Sequence, residues 1–146
     1  MNLLTDKAVA NFRSGLNCAQ AVLSAYTEEM KIDDKLALSL SCAFGGGMGR
    51  LQETCGAVTG AFMVMGVYNC RKYSDNKDRK EYTYAMVQEF SRKFKEKNGS
   101  TDCIDLLGHD LKTEEGKKYI HDNNLHEKVC EACIADAIDL LGKIMK

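Results

Sequence analysis

A chain of 146 residues, 45% of them hydrophobic, is long enough to bury the core of one domain spanning residues 1–146. Its 20 Lys and Arg nearly balance its 21 Asp and Glu, which excludes the basic surface of proteins that bind nucleic acid or acidic membranes. The longest apolar stretch, residues 55–68, is too short to span a bilayer, and the N-terminus lacks the apolar core of a secretory signal. We therefore expect a cytoplasmic protein without membrane insertion.

The chain contains no proline and takes its turn signals from glycine and Asx residues, which predicts an all-α fold, a compact multi-helix bundle. The first helix is expected over residues 5–13. The second begins after Asn17, and residues at helical spacing form its apolar face: Cys18, Val22, Ala25, Tyr26 and Met30. Cys18 thus lies on the buried side of its own helix start. A third helix, capped by Asp33, contains Cys42.

Four glycines among residues 45–49 predict a loop between helices where the chain bends or approaches another group closely. The next helix, residues 54–68, carries Gly56, Gly60 and Gly66 in its interior, each at a cost of about 1 kcal/mol relative to Ala. Such a cost indicates close approach of another backbone or of a bound group. The candidates for contact with a cofactor are Gly46, Gly47, Gly56 and Gly60.

The second half of the chain continues the helical pattern, and no strand-period alternation interrupts it. A long amphipathic helix is expected over residues 77–97, followed by a short helix over 100–107. The polar segment 109–124 is predicted to be partly helical, and a final helix is expected over 126–145.

Four cysteines stand at or near predicted helix starts, where unpaired N–H groups and the helix dipole favour thiolate over thiol. These candidates, for catalysis and for metal ligation alike, are Cys18, Cys55, Cys103 and Cys130. Because the helix ends of a bundle meet at its poles, we expect the four thiols to surround one small volume. Four sulfurs there would hold zinc or an iron–sulfur cluster, or would cycle as dithiols.

The remaining cysteines, Cys42, Cys70 and Cys133, are expected to behave as small hydrophobic side chains. The spacing of Cys130 and Cys133 is that of a redox dithiol, but the strand–turn–helix setting is missing, and Ile134 stands where haem attachment requires His. His126, four residues before Cys130, is a candidate partner for that thiol. Arg50 is a candidate to lower a thiol pKa or to hold an anion, although most surface arginines do neither.

Four stretches of the chain point to a family: NCAQAVL, FGGGMGRLQETCGAVTGAFMVMG, FKEKNGSTDCIDLLGHDL and CEACIADAIDLL. In this order, over residues 17–141, they resemble the C_GCAxxG_C_C family of redox-active proteins. The characteristic cysteines of that family fall on Cys18, Cys55, Cys103 and Cys130, and Cys133 resembles a hydrophobic position. The resemblance implies a small bacterial helical redox protein. A distant similarity to the non-haem parts of split-Soret cytochromes favours an iron–sulfur or other metal centre and a homodimer, although this chain lacks haem attachment sites.

Three hypotheses for the function stay open at this point. The first is a redox protein whose four cysteines exchange electrons as thiol/disulfide pairs, or hold a metal or iron–sulfur centre, with an unidentified redox partner or small molecule. The second is a structural or binding module with a four-cysteine zinc site and no turnover. The third is an enzyme with a single catalytic cysteine, for which Cys55 is the first candidate.

Overall fold

The computed structural model describes residues 2–146, so residue 1 of the predicted domain lies outside it. The chain is all-α, as predicted, and the strand-like pairing among the described residues is an isolated antiparallel bridge between Thr54 and Asp102. The helices in chain order are α1 (Leu3–Arg13), α2 (Cys18–Ala25), α3 (Thr27–Met30), α4 (Asp34–Ser41), α5 (Gly45–Met48), α6 (Gly56–Lys72), α7 (Asn76–Asn98), α8 (Cys103–Leu107), α9 (Glu114–Asp122) and α10 (Glu131–Ile144). A 3₁₀ turn (Cys42–Phe44) precedes α5, and a π-helical turn (His126–Cys130) leads into α10.

Polar side chains fix the starts of several helices at the positions that the sequence indicates. Asn17 and Gln20 form a capping box at α2: the Asn17 side chain accepts from the Gln20 N–H at 2.9 Å, and the Gln20 side chain accepts from the Asn17 N–H at 3.0 Å. Asp33 accepts from the Leu36 N–H at 2.8 Å and caps α4. The capping box makes Cys18 the first residue of α2.

The structure departs from the predicted elements in three places. Cys42, predicted inside the third helix, lies in the 3₁₀ turn that follows the end of α4 at Ser41. The apolar face predicted to run as far as Met30 is divided, because α2 ends at Ala25 and Met30 belongs to a separate turn, α3, which is followed by Lys31 in the left-handed conformation (φ 54°). The glycine-rich segment predicted as a loop contains the single turn α5, in which Gly46 and Gly47 have φ of 65° and 68°. Glycine tolerates this left-handed region without the steric cost that other residues bear.

The centre of the bundle is the contact between α2 and α6, with α1 and α10 packed against α2, and α7 packed against α6 and α10. A Cβ on Gly60 would lie 2.9 Å from the Ala19 carbonyl oxygen, and one on Gly56 would lie 2.9 Å from the Ala19 nitrogen. The close approach predicted for these two glycines is therefore to the backbone of α2. The same prediction is wrong for Gly66, which has nothing within 4 Å of its would-be Cβ.

A smaller apolar cluster lies beside the main core and joins α8 to α9. Its buried members are Cys103, Leu107, Leu111 and Ile120. Buried Gln52 ties this cluster to the glycine-rich segment, because its side chain accepts from the Leu111 N–H at 2.7 Å and donates to the His109 carbonyl at 2.8 Å. None of the helices among residues 2–146 combines the length and the apolar character needed to cross a membrane.

Candidate functional site

One cavity of about 390 Å³ is lined by Cys18, Cys55, Cys103 and Cys130. Each arrives on a different element: Cys18 is the first residue of α2, Cys55 immediately precedes α6, Cys103 is the first residue of α8, and Cys130 ends the π-helical turn. Residues far apart in the chain thus present their thiols to one volume. We call this volume, with its lining, the thiol cavity.

The lining also contains two cysteines that the sequence analysis treated as hydrophobic side chains. Cys133 of α10 faces the cavity and is only 2% exposed, whereas Cys42 is exposed at the rim. Cys133 lies one helical turn after Cys130, and residues three apart on a helix share a face. That spacing was the signal that could have placed Cys133 at the site. Cys70 is exposed on α6 and does not line the cavity.

Cys130 is the half-buried thiol of the cavity, and its surroundings favour the thiolate. Hydrogen bonding from the Cys18 thiol, followed by the hydrogen bond and charge of His126, lowers the pKa of Cys130 to about 6 against the opposing effect of burial. The Cys130 Sγ lies 3.7 Å from the His126 Nδ1, because the π-helical turn places both side chains on one side. The same interaction raises the pKa of His126. Cys18, which donates to Cys130 and is buried, has its pKa raised well above the ordinary value.

Cys55 and Cys133 form a second pair in which one thiol is again favoured as the anion. Hydrogen bonding from Cys133 is the largest cause that lowers the pKa of Cys55, and the backbone N–H groups of Ala57 and Val58 add to it. Both N–H groups belong to the first turn of α6, and that of Val58 also donates to the Cys55 carbonyl at 2.9 Å. The Cys55 interaction and burial raise the pKa of Cys133 strongly. The cavity therefore holds two thiol pairs, each with a donor and an acceptor.

Cys103 belongs to neither pair, and its backbone is hydrogen-bonded to the segment that follows α5. Its N–H donates to the Glu53 carbonyl at 2.7 Å, and the Cys55 N–H donates to the Thr101 carbonyl at 2.8 Å, so the two cysteine-bearing segments are joined through their backbones. Burial raises the pKa of Cys103 to about 12. This thiol stays protonated near neutral pH.

These pKa directions correct the expectation that a helix start favours the thiolate at all four cysteines. The expectation is wrong for Cys18 and Cys103, whose pKa values are raised although each is the first residue of a helix. It agrees in direction with Cys55, where first-turn N–H groups contribute. The pKa of Cys130 is lowered as predicted, but by side chains, since its π-helical turn continues directly into α10.

The glycines named as candidates for cofactor contact fall into two groups. Gly46, Gly47 and Gly56 line the thiol cavity, whereas Gly60 does not and packs against α2. A Cβ on Gly47 would lie 2.6 Å from the Cys103 Cβ, so this glycine allows the α5 segment to approach the cysteine. Close packing accounts for the absence of a side chain at Gly47, Gly56 and Gly60, and cofactor contact by these residues stays a prediction.

All seven cysteines are free thiols. Within residues 2–146, no group of three or more His, Cys, Asp or Glu side chains is arranged to hold a metal ion. The chemistry that the structure displays directly is therefore that of interacting thiols around a cavity.

Comparison with known proteins identifies one family by its sequence model. The model described as "Putative redox-active protein (C_GCAxxG_C_C)" matches residues 16–144. A similar protein from Archaeoglobus fulgidus, called "Uncharacterized protein", is 29% identical over 112 residues, which cover 73% of this chain and 70% of that relative. No solved structure matches the chain.

Proposed function

Since the chain belongs to the C_GCAxxG_C_C family of redox-active proteins, we propose that it exchanges thiols and disulfides through Cys130 and Cys18. The observation that supports this proposal is the Cys130 environment: a half-buried sulfur with the Cys18 thiol and the His126 ring as hydrogen-bonding neighbours. Cys130 would act as the nucleophile, because the thiolate is the form that attacks a disulfide. Cys18 would act as the resolving thiol.

The exchange proceeds in two steps that balance in protons and electrons. The Cys130 thiolate attacks one sulfur of a substrate disulfide, the substrate S–S bond breaks, and protonated His126 gives its proton to the leaving thiolate. Cys18 then attacks the Cys130 sulfur of the mixed disulfide, and its proton passes to the second leaving thiolate. The protein dithiol is oxidised to a disulfide by two electrons, and the substrate disulfide is reduced to two thiols.

The nucleophile is assigned to the Cys18–Cys130 pair because of access. Cys130 is half-buried near the exposed His126, whereas Cys55 and Cys133 are both buried. Among the four paired thiols, Cys130 is therefore the most accessible to a disulfide that enters the thiol cavity from solvent. His126 also supplies a proton donor beside Cys130, and the Cys55–Cys133 pair has no histidine among its interactions.

The test uses the reduced full-length protein and bis(2-hydroxyethyl) disulfide, followed by acid quenching and peptide mapping by mass spectrometry. The wild type should form an intramolecular Cys18–Cys130 disulfide, and Cys18→Ser should stop at the mixed disulfide on Cys130. Cys130→Ser should form neither product. Cys70→Ser, at an exposed position away from the cavity, is the matched control and should behave as the wild type. Oxidation of Cys130→Ser at the wild-type rate would refute the proposal.

A second candidate function is electron transfer by an iron–sulfur cluster, which the size of the thiol cavity favours. About 390 Å³ between cysteines of four elements is more space than a single metal ion occupies, and thiolate sulfur is the ligand that such clusters require. Cys18, Cys55, Cys103 and Cys130 would hold the cluster, which would supply one-electron transfer. Buried Cys103 fits this use, since thiol exchange between Cys18 and Cys130 gives it no role.

Cys103 therefore separates the two candidate functions. Anaerobic reconstitution with iron and sulfide, followed by visible spectroscopy and iron analysis, would show a cluster in the wild type and its loss in Cys103→Ser. Oxidation of the Cys18–Cys130 pair by a small disulfide should survive the same substitution. A colourless wild-type protein without bound iron after reconstitution would refute the cluster.

The zinc-binding module and the single-cysteine enzyme stay predictions. A zinc site would make folding depend on the metal, so a chelator should unfold such a protein, whereas a dithiol protein should stay folded. A single-cysteine enzyme built on Cys55 would lose activity on Cys55→Ser and keep it on Cys130→Ser. The chelator measurement uses the wild-type protein, and the second measurement adds Cys55→Ser to the variants named above.

A further inference from the structure

Arg50 lies at the rim of the thiol cavity with an exposed side chain. It takes part in no ion pair with the rest of residues 2–146. Its backbone is left-handed (φ 65°), and its N–H donates to the Gly45 carbonyl at 3.1 Å. A Cβ on Gly46 would lie 2.9 Å from the Arg50 Cγ, so this glycine leaves room for the arginine side chain beside the loop. The glycine-rich segment thus places a permanent positive charge at the rim.

The other charges around the cavity do not neutralise that of Arg50. The described lining contains no Asp or Glu, and His126 is the other side chain there that can carry a positive charge. The acidic residue that acts on Cys130 is Glu131, and Arg13 holds its carboxylate in a bidentate pair, Nη2 to Oε1 at 2.8 Å and Nε to Oε2 at 3.0 Å. A guanidinium without a carboxylate partner is therefore left facing a cavity of thiols.

Arg50 also lines the same cavity as the proposed nucleophile and acts on the histidine beside it. Its charge acts on the His126 ring, and that ring lies 3.7 Å from the Cys130 Sγ. A molecule that bridges Arg50 and Cys130 would therefore sit at one end of the cavity. About 390 Å³ is within the range of pockets for small molecules.

We infer that the thiol cavity selects small disulfides that carry carboxylate groups, and that Arg50 binds the carboxylate. This inference rests on the proposed thiol–disulfide exchange and names its substrate class. The planar guanidinium pairs with a carboxylate through two parallel hydrogen bonds, which positions the substrate as well as attracting it. One end of the substrate is then held at the rim while its disulfide sulfur reaches the Cys130 thiolate.

The experiment compares three symmetrical small disulfides that differ in charge: anionic 3,3′-dithiodipropionate, neutral bis(2-hydroxyethyl) disulfide and cationic cystamine. The rate of loss of the free Cys130 thiol is measured for each, relative to a cysteine peptide under the same conditions. A thiolate repels an anionic disulfide, so the peptide should react more slowly with dithiodipropionate than with the neutral probe. The wild-type protein should instead favour dithiodipropionate over the neutral probe by about tenfold, the factor that corresponds to about 1.4 kcal/mol and lies at the weak end of a charge-assisted contact.

Substitution of Arg50 should remove this preference without removing the chemistry. Arg50→Gln should lower the second-order rate constant for dithiodipropionate by about tenfold and leave that for the neutral probe within about twofold. Arg50→Glu should turn the preference toward cystamine. Arg92→Gln, at an exposed arginine of α7 that does not line the cavity, is the matched control and should keep the wild-type preference.

The outcomes separate the inference from the proposed function. If Cys130 reacts with the neutral probe but the anionic probe is no faster, or if Arg50→Gln keeps the preference, the substrate class is refuted and the exchange reaction stands. If none of the three disulfides oxidises the Cys18–Cys130 pair, the proposed function fails and the inference fails with it.

Discussion

The rate of thiol–disulfide exchange at Cys130 should follow an ionisation near pH 6. With its pKa lowered to about 6, Cys130 is about 90% thiolate at pH 7, against about 3% for a thiol of ordinary pKa. Lower basicity also weakens the nucleophile, by roughly 10- to 18-fold for a pKa difference of about 2.5 and a Brønsted coefficient of about 0.4–0.5. The two effects nearly cancel at pH 7, where Cys130 should react only about two to three times faster than an unfolded cysteine peptide.

The advantage of Cys130 should grow as the pH falls. At pH 5 about 9% of Cys130 is still thiolate, against about 0.03% of the reference thiol, a ratio of about 300. After the same correction for nucleophilicity, Cys130 should be about 15 to 30 times faster than the peptide. The direction of this pH dependence follows from the lowered pKa of Cys130. Its thiolate is fully formed above the folded-state pKa and is lost as the pH falls through it.

The assay measures loss of the free Cys130 thiol with bis(2-hydroxyethyl) disulfide between pH 5 and pH 9, by acid quenching and mass spectrometry. Cys18→Ala and His126→Asn should each move the midpoint upward, since the Cys18 hydrogen bond is the largest single cause of the lowered pKa and His126 acts through both a hydrogen bond and its charge. His121→Asn, at an exposed histidine of α9, is the control and should leave the midpoint unchanged. A wild-type midpoint near pH 8.5, or one that Cys18→Ala does not move, would refute the reasoning.

Three further predictions concern the packing that holds the site. Gly60→Ala should lower the free energy of unfolding by about 1–3 kcal/mol, because its Cβ would lie 2.9 Å from a backbone oxygen of α2. Gly66→Ala in the same helix, with nothing within 4 Å, should raise it by up to about 1 kcal/mol. Gln52→Ala should lower it by about 2 kcal/mol or more, since two backbone groups lose their partner. Phe94→Ala, in the core, should cost about 3–5 kcal/mol, and the exposed control Tyr84→Ala should cost less than about 1. Urea denaturation measures the free energy of unfolding of all five variants. Equal effects of the two glycine substitutions would contradict the packing argument.

The fold class and most helix starts could be read from the sequence because their signals are local. The predicted start of α2 after Asn17 and the apolar residues that follow it lie within a few residues of each other, and the structure confirms the start and the buried face as far as Ala25. The division between α2 and α3 had no comparable signal. It lies at Tyr26 (φ −97°, ψ −4°), where α2 ends and α3 begins, and no glycine, proline or asparagine marks that position in the sequence.

The residues that line the cavity were harder to predict from the sequence, because they depend on which helices pack against each other. Cys133 looked like one more apolar residue of α10, and its register relative to Cys130 was the available clue. Its pairing with Cys55 follows from the packing of α10 against α6, which joins residues far apart in the chain. The glycines show the same limit. The cost of glycine in a helix indicated that another group comes close. Only the fold shows that the element close to Gly56 and Gly60 is α2.

The relative sizes of the helix-dipole and burial effects on pKa explain why position at a helix start predicted the ionisation of these thiols poorly. A helix dipole contributes about 0.3–1 kcal/mol at an exposed end, which corresponds to less than one pKa unit. The hydrogen bond to Cys130, with burial, overrides the dipole at Cys18, and burial overrides it at Cys103, since burial shifts the pKa of an ionisable group by up to about 3–5 units. The pKa falls only where a second thiol donates, at Cys130 from Cys18 and at Cys55 from Cys133. The tertiary pairing of cysteines is therefore the largest influence that favours these thiolates, and exchange of the donor for an apolar side chain should raise the pKa of each acceptor while the helix starts remain intact.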